Sequence, residues 1–586
     1  MQVCAPRWCS IGIQIPAPGA LSGEKGRTTY SSYKEETNMD AKVNKDTDLD
    51  VIVVGAGFSG LHILHELVKR NYRVHLFDDG DGPGGTWDKN HYPGARVDSE
   101  IWVYQYTDPA LWKDYYFTEK FPGWRELKSY FNYVADKWGI RPYMTFKTSV
   151  GGATFDEAAG VWQVRTSDGQ NRTARYLLLA LGSTTKPITP SFPGAETFKG
   201  QSYHSARWPR DGVAMKGKRV AVIGTGASGV QIIQETSREA DHLTVFQRTP
   251  NLALPMGQEK YTREEYDKIR QLFQPVMERT KQTFAGFAYD LINKPWKEMS
   301  EDERQQVMRF NWEQKGFTFW LAAPMDLFFD DECNRAHYNF WRDETRKLIK
   351  KKHLVEVLAP TEPPHPFGTK RPCLQQWYFD LYNQDNVDLV DLKATPIERI
   401  TEKGIVAGGK EHEVDIIVYA IGFDTCTGAI SAADIKDADG RTIGDLWKEQ
   451  SLTYLGKAVP GYPNLLYTYA LQSPSAFING PTGGELEGDW VVKFIENMDK
   501  MGVRRFEARR DAAEAWGKRC YGVAEKSLFV KAKSWYMAAN VPGKRPEIQP
   551  FIGGQPAYRA ALYEESDKGF PNFVLLKKHA EEIAAQ

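Results

Sequence analysis

The chain has 586 residues, 41% hydrophobic and 13% aromatic, and its 75 basic and 76 acidic side chains leave a formal net charge of -1. That length exceeds one core and implies about two to four domains, while the balanced charge gives no pull towards nucleic acid or an anionic membrane. No apolar run approaches a bilayer span, and the six cysteines, Cys4, Cys9, Cys333, Cys373, Cys426 and Cys520, lack metal-ligand spacing; they read as free thiols in a reducing, cytoplasmic compartment, with no metal expected.

Residues 1–49 are polar and aperiodic and read as a partly disordered extension. Their apolar patch near Ile11 to Ile15 is too short and too interrupted for a signal peptide. The chain then organises itself around Asp50 to Asp79. Val51 to Val54 is a buried strand, Gly55, Gly57 and Gly60 follow as G-x-G-x-x-G, a helix runs to about Arg70, and a second strand, Val74 to Phe77, ends at Asp78. This is the dinucleotide-binding layout. Gly55 permits the turn, Gly57 leaves room for a pyrophosphate at the helix N-terminus, Gly60 allows close helix–strand packing, and Asp78 suits a ribose hydroxyl. An ordinary βαβ unit is the bland alternative.

Gly80 to Gly85 form a backbone-exposing loop, with Trp87 and Tyr92 just beyond it. Arg96 and Asp98 stand two residues apart and would share a face of an extended segment, which for the isolated pair reads as a surface ion pair. Residues 101–138 are rich in aromatics and suit an active-site wall beside a flavin; Ser129 to Lys137 reads as a helix. Tyr143 to Val150, Val161 to Thr166 and Tyr176 to Leu181 read as strands, and Pro187, Pro190 and Pro193 mark a crossing between domains.

Lys218 to Ile223 is a further strand. It leads into Gly224, Gly226 and Gly229, with Thr225 and Ser228 inside the motif, and a helix to about Thr236. The next strand, His242 to Phe246, ends in Gln247, Arg248 and Thr249 rather than an acid. Arg248 suits a 2'-phosphate, so the second unit favours NADPH and the first FAD. Two such units predict an α/β fold of two Rossmann-like domains, a flavoprotein fed by a nicotinamide. Residues 255–350 read as a helical insertion, with helices over Glu259 to Asp290, Ser300 to Phe310 and Asp343 to Lys352 and an apolar, aromatic stretch over Phe317 to Phe329. A lid or packing layer is the simplest role for it. Pro372 biases Arg371 towards extended backbone, so Lys370 and Arg371 point opposite ways, one towards a cofactor phosphate and one towards the flavin. Val414 to Tyr419 and Leu465 to Tyr469 read as strands, Asn479 to Gly484 as a turn, and Asp489 to Lys500 as a helix aimed at the flavin.

Four segments carry a family resemblance. FKGQSYHSARWP, Phe198 to Pro209, with Phe198, Gly200, His204 and Trp208, resembles the fingerprint of the Baeyer–Villiger monooxygenases, type I class B flavoprotein monooxygenases. GGTWDKNHYPGARVD, Gly84 to Asp98, resembles their second signature. AIGFD, Ala420 to Asp424, resembles the domain-linking motif, with Ile421 where Thr is usual. WYMAANVPGK, from Trp535, resembles the mobile closing segment. The resemblance spans roughly residues 50 to 560.

It implies FAD, NADPH and dioxygen, and insertion of one oxygen atom beside the carbonyl of an organic ketone, through a C4a-peroxyflavin, to give an ester or lactone. It places catalytic Arg371 over the flavin with Asp98 directed at it, and Lys370, Arg248 and Thr249 on NADP. Phe58, Gly85, Thr86, Trp87, Tyr92, Thr225, Ser228 and Trp535 join the cofactor contacts. His204 and Trp208 couple the domains, and Ser473, Pro474 and Ser475 line the substrate pocket. ALQSPSAF, Ala470 to Phe477, departs from the family at Ala470 and Leu471, where Gly-Pro is usual, so the substrate range stays open. The implied domains are FAD-binding at 50–186 and 391–586, and NADP-binding at 187–390. An N-hydroxylating or sulfur-oxidising flavin monooxygenase is the alternative; a disulfide reductase lacks its cysteine pair. Oligomeric state stays open.

Overall fold

Leu49–Val54 (β1), Phe58–Lys69 (α1) and Val74–Phe77 (β2) form the first βαβ unit. In the computed structural model, which describes residues 47–541 and 543–577, Val51, Ile52 and Val53 are fully buried. The unbroken apolar run reflects a strand covered on both faces. β1 pairs in parallel with β2 and with Asn171–Leu179 (β3). The eight-stranded sheet is completed by 144–145 beyond β2, by the antiparallel strands 161–166 and 150–156 beyond β3, by 435–436 at the far edge, and by Leu465–Tyr467 alongside β3. The extension expected over 1–49 lies outside the described residues except at its last three positions.

The second sheet is wholly parallel. It contains Gln201–His204 (β4), Arg219–Ile223 (β5), His242–Gln247 (β6), Val387–Asp391 (β7) and Ile416–Tyr419 (β8), in the order β7-β6-β5-β8-β4. Ala227–Glu239 (α2) connects β5 to β6. Each sheet has its own core, one built around Ile52, Trp162, Leu177 and Tyr467, the other around Ala221, Phe246, Ile405 and Ile417. The α/β architecture is the one expected.

Among the described residues the chain crosses between the sheets twice. The crossings at 186–187 and 423–424 pair antiparallel, Pro187 opposite Phe423. A boundary at 390/391 is therefore too early: β8, at 416–419, is hydrogen-bonded between β5 and β4 of the second sheet. An apolar strand of four residues does not announce which sheet it joins.

Other boundaries shift for local reasons. The helix expected over 259–290 is two short helices, Arg263–Arg270 and Phe273–Thr280. Pro275 has no N–H to bond Gln271 and is tolerated only in the first turn of a new helix. The charged helix expected over 343–352 belongs to Asp331–Arg346, which begins where the Asp330 carboxylate accepts from the N–H groups of Glu332 and Cys333, and a separate Lys352–Leu358 follows. The helix expected from Asp489 begins at Gly480 and runs to Lys500 (α3). Its glycines mimic a turn in sequence but serve contact with α1: a Cβ on Gly484 would lie 3.0 Å from Ser59 Oγ, and one on Gly488 2.7 Å from the His62 ring. Among the described residues no helix is long and apolar enough to cross a membrane.

Candidate active site

Both glycine turns are built alike. Gly55 has φ +109° and Gly224 φ +105°, where a Cβ would meet a carbonyl oxygen at 2.4 Å, that of Ala180 or of Ala420. Gly60 and Gly229 stand against the carbonyls of those same turns, with no room for a side chain. Gly226 is different. A Cβ there meets nothing within 4 Å, so backbone lies bare at the head of α2. No side chain caps α1 or α2, and uncapped helix N-termini attract phosphate. In the first site Gly85 packs on Gly57, with a Cβ on Gly85 placed 2.8 Å from Gly57 Cα. Asp78, at the end of β2, accepts from Ala56 N (2.7 Å) and Gly80 N (2.6 Å). Burial raises its carboxyl pKa and these N–H groups work against the shift. Each oxygen keeps a lone pair for a ribose hydroxyl. Phe58 meets Tyr104 edge-on at 5.2 Å, and Trp87 Nε1 donates to the Tyr104 hydroxyl at 3.1 Å. Thr86 is exposed. These residues fit a bound dinucleotide.

The second site ends in cations. Gln247 and Asp391 are register partners on β6 and β7, so Arg248 and Lys393 both follow at the same end of the sheet. Burial lowers the Lys370 amine, and the charges of Arg248 and Lys393 lower it further. Burial and Lys370 push His365 down to about 4. A buried lysine whose amine is depressed by two neighbouring cations fits a phosphate dianion. Thr225 Oγ1 donates to Thr249 O at 2.9 Å, which ties the glycine turn to this edge. Tyr92 crosses from the first signature to donate to Gln231 Oε1 on α2 at 3.1 Å, and Ser228 shares that helix's first turn.

Arg371 and Asp98 meet from 273 residues apart. Nε donates to Oδ2 and Nη2 to Oδ1, each at 2.9 Å, a two-point pair that fixes the guanidinium plane. Burial alone would lower the Arg371 pKa; the Asp98 carboxylate reverses this and raises it. The guanidinium is therefore charged at every working pH. It lies 4.9 Å from the Phe317 ring and 5.9 Å from Trp320. Behind them the Phe477 ring contacts Phe284, Trp320, Phe328, Phe529 and Tyr536, all at 5.5–5.8 Å. The result is a fixed positive charge against an aromatic wall.

Arg96 does not pair with Asp98. It turns to Glu119 at 2.9 Å, and Asp98 is left for Arg371. Lys370 feels the charges of Arg248 and Lys393, whereas Arg371 next to it pairs with Asp98. His204 Nε2 lies 3.1 Å from Ile188 O, and its Nδ1 accepts from Ala206 N at 3.1 Å, which assigns the ring proton to Nε2. The histidine thus ties β4 to the first crossing. Trp208 is buried against Tyr203 at 5.5 Å, and Gly200 lets the Phe198 ring lie over the backbone. Trp535 stacks on Tyr536 at 3.9 Å. Ser473, Pro474 and Ser475 form a buried loop beside Phe477. Lys393, Phe317, Trp320 and Tyr536 escaped sequence reasoning as site residues. Only the β6–β7 register marks Lys393, and only long-range packing marks the aromatics. Of residues 101–138, Tyr104 faces the first site, whereas Trp112 and Tyr116 pack on the insertion residues Phe273 and Tyr266.

Residues 48–261 match the flavin-binding monooxygenase-like family. The chain is 44% identical to a cyclopentanone 1,2-monooxygenase of a Comamonas species, over 94% of this chain and 99% of that one. It is 34% identical to a Baeyer–Villiger monooxygenase of Pseudooceanicola batsensis, over 91% and 97%. A crystal structure of OTEMO in complex with FAD and NADP superposes with a TM-score of 0.87 at 32% identity, over 90% of this chain and all of the other.

Proposed function

Because the chain belongs to the Baeyer–Villiger monooxygenase family, we propose that its substrate is a compact alicyclic ketone and that Arg371 is the residue on which its oxygenation depends. It is an NADPH-dependent flavoenzyme that uses FAD and dioxygen to turn a ketone into an ester or lactone. FAD, when bound, supplies the oxygen-activating redox chemistry; the chain supplies charge, orientation and exclusion of water.

The reading rests on one observation, the two-point Arg371–Asp98 pair against the aromatic wall. A ketone carbonyl oxygen gains negative charge as its carbon is attacked. A guanidinium that never loses its proton stabilises that oxygen by charge and by hydrogen bonds. Asp98 holds the plane of the guanidinium and thereby sets where those N–H groups point. The rings exclude water, which strengthens the charge interaction. In this reading Asp78, Gly57 and the head of α1 hold the FAD ribose and pyrophosphate. Gly226, Thr225, Ser228 and the head of α2 hold the NADP pyrophosphate, with Arg248, Lys370 and Lys393 around the 2'-phosphate. Trp535 closes over the nicotinamide side, and His204 and Trp208 couple the two domains. We assign the FAD domain to 48–186 and about 423–577, and the NADP domain to 187–422.

The aromatic wall and the close similarity to a cyclopentanone monooxygenase support a small ring ketone. A cytoplasmic location belongs to the same reading: Cys333, Cys373, Cys426 and Cys520 are buried free thiols, as reducing surroundings keep them. The test is product identification across cyclopentanone, cyclohexanone, a linear ketone and a thioether. Lactone from the small rings at the highest kcat/KM is the expected result. Exclusive oxidation of the thioether rejects the ketone assignment.

A further inference from the structure

The loop that carries Ser473, Pro474 and Ser475 has unusual backbone. Tyr469, Gln472 and Ser475 all have left-handed φ, at 54°, 58° and 49°. Residues with a Cβ adopt this region only when their surroundings hold them there. Gln472 has such surroundings. It is 5% exposed, and all four of its polar functions are engaged by separate parts of the chain. Its backbone N–H donates to Gln549 O at 2.7 Å, and its carbonyl accepts from Trp516 Nε1 at 3.2 Å. Its side-chain oxygen accepts from the Thr453 hydroxyl at 2.7 Å, and its side-chain nitrogen donates to Ser451 O at 3.2 Å. Gly456 makes this approach possible: a Cβ there would lie 2.6 Å from Ser473 N and 2.7 Å from Gln472 C.

The anchor has two outputs. Phe551 N donates to Ser473 O at 2.8 Å, which fixes the next residue of the loop and so the entry to Phe477. Phe477 is the ring shared by most of the aromatic wall. Gln549, whose carbonyl holds Gln472, also donates its own N–H to Tyr536 O at 2.7 Å. Tyr536 adjoins Trp535 and packs on Phe477 at 5.8 Å. The loop and the segment carrying Trp535 are thus one hydrogen-bonded unit, pinned at Gln472.

We propose that Gln472 is a positioning residue that sets which ketones the site accepts and which enantiomer it prefers, by fixing the Ser473–Phe477 loop and the Trp535 segment from behind. Its four polar functions are all taken up by protein groups, so it acts through the loop. The inference rests on the ketone reading above. Its chemical logic is that of a buried amide that ties the loop to Ser451 and Thr453, while the backbone of the same residue is held by Gln549 and Trp516, so losing the side chain releases the loop from one of the three stretches that hold it.

The test uses FAD-loaded full-length enzyme. Gln472→Leu removes both side-chain hydrogen bonds at similar size. Thr453→Val removes the bond donated to Gln472 and leaves the one from Gln472 to Ser451. FAD content, flavin reduction by NADPH, KM and kcat for cyclopentanone and cyclohexanone, and the enantiomeric ratio on racemic 2-methylcyclohexanone are measured. In Gln472→Leu, FAD content and flavin reduction stay within about twofold of wild type, while the enantiomeric ratio or the relative KM of the two ketones moves at least about fivefold. Thr453→Val moves it the same way by less, and it decides alone where Gln472→Leu fails to hold FAD. Wild-type selectivity in folded variants overturns the proposal. So does a loss of flavin reduction as large as the loss of ketone turnover, which marks a general structural role. Wild-type enzyme that yields no ketone product rejects the substrate reading itself, a different outcome from unchanged selectivity.

Discussion

Replacing Asp98 by Asn preserves shape and one acceptor but removes the charge that fixes Arg371. Two unit charges at about 4 Å interact by about 4 kcal/mol at an effective dielectric near 20. Asp98 is 32% exposed at its side chain and Arg371 20%, so solvent screens part of this. A hydrogen bond to a charged group contributes about 1.5–3 kcal/mol, and that is the range expected here. It corresponds to roughly 10- to 100-fold in rate. The loss falls on orientation, not on the existence of the cation, because Arg371 keeps its proton without Asp98. The assay compares lactone formed with NADPH consumed, alongside hydrogen peroxide and FAD content. Asp98→Asn is expected to retain FAD, to lose that factor in kcat/KM for the ketone, and to spend more NADPH per lactone. Wild-type kcat/KM together with a wild-type lactone-to-NADPH ratio would refute the reasoning.

Three further outcomes follow from the site. Arg248→Ala lowers the preference for NADPH over NADH by roughly tenfold or more, the scale of one charged hydrogen-bond partner, as steady-state KM values for both cofactors will show. Because the Lys370 amine is depressed by burial and by its cationic neighbours, its charge is present at low pH and lost as pH rises through that lowered value. NADP+ affinity by calorimetry therefore weakens on the alkaline side, while NAD+ affinity does not, and Lys370→Arg moves the weakening to higher pH. Gly488→Val forces a side chain into the His62 ring and Ile63 and costs about 1–3 kcal/mol by overpacking, read as a lower thermal midpoint in holoenzyme.

Both βαβ units were legible in the sequence because their signals are local. The glycine spacing, the apolar runs and the residue after each second strand all lie within about 30 residues. Arg371 was legible only through resemblance, and its partner Asp98 looked from spacing like the companion of Arg96. Contacts across 273 residues leave no local trace. The aromatic wall was invisible for the same reason: Phe317 and Trp320 read as insertion packing, and Phe477 as part of an irregular loop. Gly480 to Gly488 misled in the opposite direction. Glycine weakens an isolated helix, but here it lets α3 lie against α1, a tertiary effect that outweighs propensity. The boundary near 390 failed because β8 carries no mark of the sheet it joins.

The most direct test replaces Arg371 itself. Arg371→Ala and Arg371→Lys, loaded with FAD, are compared with wild type for flavin reduction by NADPH and for lactone formed from cyclopentanone. Flavin reduction persists in both, while Arg371→Ala loses lactone formation by roughly 100- to 1,000-fold, the range for removal of one transition-state donor. Lactone formed by Arg371→Ala at the wild-type rate would contradict the account.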